Sequence, residues 1–278
     1  MNQFLKRIIP LHVKIVIKRV IFYLLDTYEQ FNGKYESLTP PKRLMFVGGG
    51  DFKEIGEDFL RHFIQKCGLQ PHERVLDVGC GVGRMAVPLT RYLNKEGSYE
   101  GFDIVKEGIR WCKRNITANY PGFNFRHANI LNKTYNPYGQ IQASDFTFPY
   151  ADKSFDFVFA TSLFTHMLPA DTEKYIAEIS RVLKINGRCF LTFFLMNNDA
   201  ERFTGAGSAT LDFRFKGKDY YTTNSDTPEY AICFDETFII SLCTRYGLNI
   251  SSVLYGSWCG RSNFFSYQDI LILSKNTV

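Results

Sequence analysis

The sequence predicts an α/β chain folded around a doubly wound, mainly parallel sheet, and three observations carry that prediction. From Val75 to Leu195, apolar stretches of strand length alternate with stretches of helical period, which implies repeated βα units joined by right-handed crossovers. Phe155–Ala160 reads as a continuous apolar run, as expected of a strand buried on both faces. Three glycines stand at alternate positions, 79, 81 and 83, where an apolar strand gives way to an apolar helical pattern.

The elements follow in order. Asp51 to Cys67 puts Phe52, Ile55, Phe59, Phe63 and Ile64 on one helical face and stops at Gly68. Strands then fall at Val75–Val78, Tyr99–Ile104 and Phe123–Ile130, with helices at Met85–Leu93 and Lys106–Ala118 between them. After the strand at Phe155–Ala160, a helix over Thr172–Leu183 turns Ile176, Ile179, Val182 and Leu183 inward, and Asn186-Gly187 closes it before a fifth strand at Cys189–Leu195. Residues 196–235 break the rhythm: Phe213, Phe215, Tyr220, Tyr221 and Tyr230 lie among charges, and only Leu211–Phe215 alternates. A connection of that length is usually functional, and it leaves the sheet at the edge where open α/β folds bind ligands. A substrate lid is therefore expected there, against the plainer alternative of a surface elaboration. A helix over Glu236–Tyr246, stopped by Gly247, and strands at Ile250–Tyr255 and Asp269–Leu273 complete the chain.

Composition narrows the function class. With 278 residues the chain is long enough for a full core, and its aromatic content is high, at 26 Phe and 16 Tyr. Seven cysteines are scattered singly, at 67, 80, 112, 189, 233, 243 and 259, without a C-x-x-C pair or zinc spacing, which reads as reduced thiols in a cytoplasmic protein with no metal site. The net charge of +5 is mild, and much of the excess lies near the N-terminus. Residues 1–50 read as an amphipathic helix followed by an irregular lead-in, with residues 51–278 as the main domain. Lys6, Arg7, Lys14, Lys18 and Arg19 interrupt the apolar stretch of residues 1–25, so it is too broken to span a bilayer, which takes about 20 apolar residues, or to serve as a secretory signal. It packs on the domain or lies on an anionic membrane surface.

The glycine turn carries the chemistry. Glycine has no Cβ, so a ligand can lie directly on such a backbone. A phosphate loop would end in Gly-Lys-Ser/Thr, and a dinucleotide loop would space its glycines G-x-G-x-x-G. Here the spacing is G-x-G-x-G, with Asp77 two residues ahead. An acid at that strand end repels a pyrophosphate but accepts a hydrogen bond from an amino group, which suits a cationic, amino-acid-like ligand such as S-adenosylmethionine. A second acid, Asp103, ends the next strand, where a carboxylate can accept from both ribose hydroxyls while Ile104 lies against the adenine.

Together these segments resemble the class I S-adenosylmethionine-dependent methyltransferases. Val75-Leu76-Asp77-Val78-Gly79-Cys80-Gly81-Val82-Gly83-Arg84 looks like their first motif, and Gly101-Phe102-Asp103-Ile104 like the acidic second. Phe148 to Asp156 is similar to their lead into strand four, and Arg181 to Arg188 to the turn before strand five, with Ile185 and Asn186 in place of Pro and Gly. The resemblance covers about residues 55–195. It implies a Rossmann-like seven-stranded sheet in order 3-2-1-4-5-7-6 with the last strand antiparallel, an N-terminal helical extension and a lid insertion after strand five. It also implies a cofactor site of Asp77, Gly79, Cys80, Gly81, Gly83, Arg84, Asp103, Ile104 and Thr161. Many relatives carry an acid after strand three that accepts from the adenine amino group; here Asn129 is favoured for that role over Asp145.

Methyl transfer asks mainly for alignment of acceptor and donor, plus proton removal where needed. His166, in Ala160-Thr161-Ser162-Leu163-Phe164-Thr165-His166-Met167 after strand four, is the histidine placed to act as general base; capping the following helix is its structural alternative. Tyr220, Tyr221 and Arg261 are further candidates for substrate contact, with Trp258 a candidate pocket wall. The expected function is transfer of a methyl group to oxygen or nitrogen of a small molecule or glycan. A lipid-linked acceptor and a non-catalytic S-adenosylmethionine-binding protein are the alternatives. The mild charge and the lack of N-P-P-Y or D-P-P-Y after strand four argue against nucleic acid.

Overall fold

The computed structural model describes residues 22–28, 38–45 and 49–276. Most of the expected N-terminal helix and lead-in therefore lies outside the described residues. Of the described part, residues 22–28 are helical, and buried Asp26 ties them to the chain by accepting from the backbone N–H of Lys42 at 2.6 Å and of Arg43 at 3.2 Å.

The first long helix, α1 (Phe52–Cys67), starts because Asp51 accepts from the N–H groups of Lys53 and Glu54, and ends in the left-handed conformation at Gly68. Strand β1 (Arg74–Val78), helix α2 (Ala86–Tyr92), β2 (Ser98–Asp103), α3 (Lys106–Cys112) and β3 (Phe123–His127) follow. The expected helix over Lys106–Ala118 divides: beyond Cys112 the turn Lys113–Thr117 is a π-helix. Then come β4 (Phe155–Ala160), α4 (Pro169–Val182) and β5 (Leu183–Phe193). Strand five thus begins at Leu183 rather than Cys189. Asn186 adopts φ +63° and donates from its N–H to the Lys275 carbonyl, while Lys275 N–H donates to the Gly187 carbonyl, which lets the chain continue as strand where a turn alone was expected.

The main sheet has the order β3-β2-β1-β4-β5, then β11 (Asp269–Ser274) and β10 (Asn249–Leu254). Pairings among the first five are parallel, and β11 runs antiparallel to both β5 and β10. Numbering only the strands of this sheet in chain order, this is 3-2-1-4-5-7-6. Alternate residues of each strand face opposite cores, as the strand period requires. One core places Val75, Phe157, Phe159 and Phe190 against α1, α2 and α3. The other places Leu76, Val78, Val158 and Leu191 against α4 and α6 (Glu236–Arg245).

The segment after strand five holds more regular structure than its polarity suggests. It contains β6 (Leu195–Met196), α5 (Asn198–Gly205), β7 (Phe215–Lys216), β8 (Tyr220–Thr222) and β9 (Ile232–Asp235), with a four-stranded sheet in order β6-β9-β8-β7. A third, smaller core of Phe194, Met196, Phe213, Cys233, Trp258 and Cys259 lies with it. All seven cysteines are free thiols and all are buried. No helix among the described residues is long and apolar enough to cross a membrane.

Candidate active site

Strand register sets the two acids beside each other. Asp77 lies opposite Gly101 and Val78 opposite Phe102, so β1 and β2 present Asp77 and Asp103 at neighbouring C-terminal ends. The glycine turn folds over them: the N–H groups of Gly79 and Cys80 both donate to the Phe102 carbonyl at 3.0 Å, and that of Gly81 donates to Asp103 Oδ2 at 2.8 Å. Asp103 Oδ1 accepts from Val105 N–H at 2.7 Å. Each Asp103 oxygen keeps a second lone pair, which a diol can use. Burial raises the Asp103 carboxyl, and the bonds from Val105 and Gly81 oppose that rise.

Asp77 is only 2% exposed. Its Oδ2 accepts from Tyr99 Oη at 2.7 Å, whereas its Oδ1 has no hydrogen-bond partner within the protein. Burial, the largest effect, pushes its pKa up to about 8; the Tyr99 bond pulls it down and Asp103 pushes it up further. An unsatisfied buried carboxylate oxygen is costly. Asp77 lines a hollow together with Gly79, Cys80, Gly81, Arg84, Thr161 and Ser162, an arrangement that suits an ammonium-bearing ligand. Gly81 holds φ +55°, and nothing lies within 4 Å of where a Cβ would project. The residues present therefore fit a cofactor with an amino-acid end and a ribose.

A cavity of about 360 Å³ adjoins that hollow. Ile104, Val105, Ile130, Leu131 and Ala143 give it an apolar slot beside Asp103, with Asn132 and Gln142 among the polar lining groups. Further along, Tyr135, Met167, Leu168, Asp171, Tyr175, His166 and Glu229 line it. His166 Nδ1 lies 3.0 Å from the Glu229 carbonyl oxygen, and burial lowers its pKa against the raising effect of the Glu229 and Tyr230 carbonyls. A neutral imidazole that donates from Nδ1 leaves Nε2 with a free lone pair. Asp171, raised chiefly by burial, is held by the N–H groups of Leu168 and Ser144.

Most of the residues expected from sequence meet here. Asp77, Gly79, Cys80, Gly81, Arg84 and Thr161 share the hollow, and Asp103, Ile104 and His166 line the adjoining cavity. Arg84 also extends over the Phe52 ring at 5.7 Å. Gly83 does not line either space: a Cβ there would stand 2.8 Å from Ile116 Cδ1 and 3.2 Å from Cys112 Sγ, so it serves helix packing. Asn129 and Asp145 are likewise absent from the lining. Strand three ends at His127, and Asn129 donates to Gln140 Oε1 at 3.2 Å within the following loop.

Trp258, Tyr220, Tyr221 and Arg261 also lie elsewhere. Trp258 is fully buried and donates from Nε1 to Asp269 Oδ2 at 2.6 Å, while Arg261 approaches Asp269 and covers the Tyr255 ring. Asp269, unsuspected from sequence, also accepts from the N–H groups of Leu195 and Gly256. Glu229, Tyr135 and Asp171 were equally hidden, because no local pattern ties them to the site. Among the described residues no group of three His, Cys, Asp or Glu side chains is placed to hold a metal.

Comparison with known proteins gives a consistent picture. Residues 76–191 match a family model described as a methyltransferase domain. The chain is 29% identical over 136 residues to methyltransferase GfsG of Streptomyces halstedii, covering 49% of this chain and 42% of that protein. It is 25% identical over 174 residues to the ubiquinone/menaquinone biosynthesis C-methyltransferase UbiE of Geotalea daltonii, covering 63% of this chain and 67% of that one. The chain thus spans less than half the length of the Streptomyces relative. In fold it is similar to the 1,6-didemethyltoxoflavin-N1-methyltransferase of Burkholderia thailandensis, solved with its namesake compound and S-adenosylhomocysteine. The TM-score is 0.52 at 13% identity, over 97% of this chain and 92% of that one.

Proposed function

We propose that the protein moves a methyl group from S-adenosylmethionine to a small molecule, because residues 76–191 match a methyltransferase-domain model and the main sheet has the strand order of the class I, S-adenosylmethionine-dependent fold. The observation that carries this reading is the bond from Gly81 N–H to Asp103 Oδ2, which joins the glycine turn to the acid of the next strand. The ligand names carried by related proteins support the same cofactor.

Asp77 Oδ1 would accept from the amino group of the methionine end, and Arg84 would face its carboxylate. The ribose hydroxyls would bond to Asp103, and Ile104, Ile130 and Leu131 would enclose the adenine, with Asn132 or Gln142 at its amino group. When bound, the cofactor supplies an electrophilic methyl group on a sulfonium. The protein's remaining tasks are to hold the acceptor in line and to take a proton. His166 Nε2 is suited to the second task, with Nδ1 fixed by Glu229. Such a base serves an oxygen or nitrogen acceptor. Met167, Leu168, Tyr135 and Tyr175 around it favour a small organic acceptor over a glycan.

Calorimetry of the purified protein with S-adenosylmethionine and with NADH tests the reading: binding of the first and not the second is expected, and the reverse would overturn it. A screen of small methyl acceptors, scored by S-adenosylhomocysteine release, then identifies the substrate.

A lipid-linked acceptor is the second reading. Tyr23, Leu24 and Tyr28 are exposed on the helical residues 22–28, which follow the basic stretch in sequence. Deletion of residues 1–25 would then abolish binding to anionic vesicles and leave cofactor affinity unchanged. A full-length protein that ignores such vesicles excludes it.

A further inference from the structure

Ser162 is a non-glycine residue with φ +54°, the second residue after β4 and in the lining of both the hollow and the cavity. Side chains rarely accept that conformation, and where they do the surrounding structure must enforce it. The enforcement here is visible. Ser162 N–H donates to Thr192 Oγ1 at 2.7 Å, Thr192 Oγ1 donates to Gln268 Oε1 at 2.7 Å, and Ser162 Oγ donates to the same Gln268 oxygen at 3.2 Å. Thr192 is 1% exposed on β5, and Gln268 immediately precedes β11.

The turn has two consequences. It lays Leu163 over the glycine loop, where a Cβ on Gly79 would stand 3.2 Å from Leu163 Cδ1. It also sends the chain into the 3-10 turn Phe164–His166, with His166 N–H bonded to the Leu163 carbonyl at 3.0 Å, Thr165 Oγ1 to the Ser162 carbonyl at 3.3 Å, and Phe164 stacked on Phe193. The direction of the chain at one residue thus decides where the cavity's imidazole stands.

We propose that Thr192 and Gln268 are positioning residues that clamp Ser162 in the left-handed conformation, and so align the Thr161–His166 segment with the glycine loop for methyl transfer. Neither needs to touch a ligand to do so. Thr192 supplies the acceptor that Ser162 N–H lacks on leaving the sheet, and Gln268 orients both hydroxyls. The consequence for catalysis rests on the proposed function, whereas the clamp itself does not.

The test uses the full-length protein and two readouts: calorimetric affinity for S-adenosylmethionine and hydrogen exchange of the His166 amide. Thr192→Val keeps the shape of the side chain and removes the hydroxyl. It is expected to speed His166 exchange and weaken cofactor affinity, each about tenfold, the size of the left-handed penalty that a non-glycine residue must otherwise bear. Gln268→Leu is expected to act in the same direction, and Thr192→Ser to match the wild type. Adding Ser162→Gly to Thr192→Val should recover both readouts to within about threefold, because glycine holds a positive φ unaided. A Thr192→Val variant equal to wild type in His166 exchange, or a double variant no better than the single one, overturns the proposal. If the wild type fails to bind S-adenosylmethionine, the proposed function falls, and the exchange measurements still decide the clamp.

Discussion

His166 Nδ1 lies 3.0 Å from the carbonyl oxygen of Glu229, so the imidazole of the cavity is tied to the insertion that follows strand five. One bond both fixes the tautomer and couples the insertion to the proton acceptor. Burial also lowers its pKa, which favours the neutral ring. An NMR titration should place its inflection below 6.5. His166→Ala should cut methyl transfer by about a hundredfold or more while leaving cofactor affinity within about twofold of wild type; full turnover in that variant would remove His166 from the mechanism.

Asp77 gives a pH signature of a different sign. Its carboxyl titrates near 8, and an ammonium partner favours the ionised form. Cofactor affinity should therefore climb by about tenfold or more between about pH 6 and pH 8, and Asp77→Asn should abolish that climb along with most of the affinity. For stability the linkage runs the other way. The native value lies above the ordinary 3.8, so the stabilising contribution is complete below 3.8 and lost as pH rises through about 8. Asp77→Asn should accordingly unfold at a higher temperature than wild type above pH 8.

Two glycines of one turn should fail in different ways when a methyl group is added. Gly81→Ala projects into open space at φ +55°: the fold should survive with a loss of about 1 kcal/mol, and cofactor binding should suffer most. Gly83→Ala runs into Ile116 and Cys112 at φ +77°, so its cost of about 1–3 kcal/mol should appear first in the denaturation midpoint. Urea unfolding and calorimetry on both variants separate the outcomes.

Asp269→Asn tests the anchor of the insertion. The carboxylate accepts from Leu195 N–H, Gly256 N–H and Trp258 Nε1, and an amide cannot accept all three. A loss of about 2–4 kcal/mol is expected. Limited proteolysis should cut first within residues 196–235. Cleavage confined to other regions would show that Asp269 does not anchor this segment.

The features readable in the sequence are those with a local period or a local spacing. The βα alternation predicted a parallel sheet, the family resemblance implied its strand order, and Asp77, Gly81 and Asp103 sit at or beside consecutive strand ends that a βαβ unit brings together. What escaped depends on contacts between distant positions. Glu229 reaches His166 across 63 residues, and Asp269 gathers donors from Leu195 and Trp258, which share no pattern. The same limit applies after β3, where the loop folds back on itself through a bridge between Ile130 and Ile141 and brings Asn132 and Gln142, rather than Asn129 or Asp145, into the lining of the cavity. Trp258 and Arg261 looked like pocket residues because rare and charged side chains draw attention, yet their partner is a buried acid.

The distribution of the thiols makes the protein a reporter of its own breathing. Cys233 and Cys259 belong to the small core beside the insertion, whereas Cys67, Cys80, Cys112, Cys189 and Cys243 belong to the two faces of the main sheet. Cys112, Cys189, Cys233, Cys243 and Cys259 are fully buried, so a thiol-reactive dye can reach them only when the surrounding core parts. The order in which the two groups take up label would therefore time the opening of the insertion against that of the sheet, in the unmodified chain.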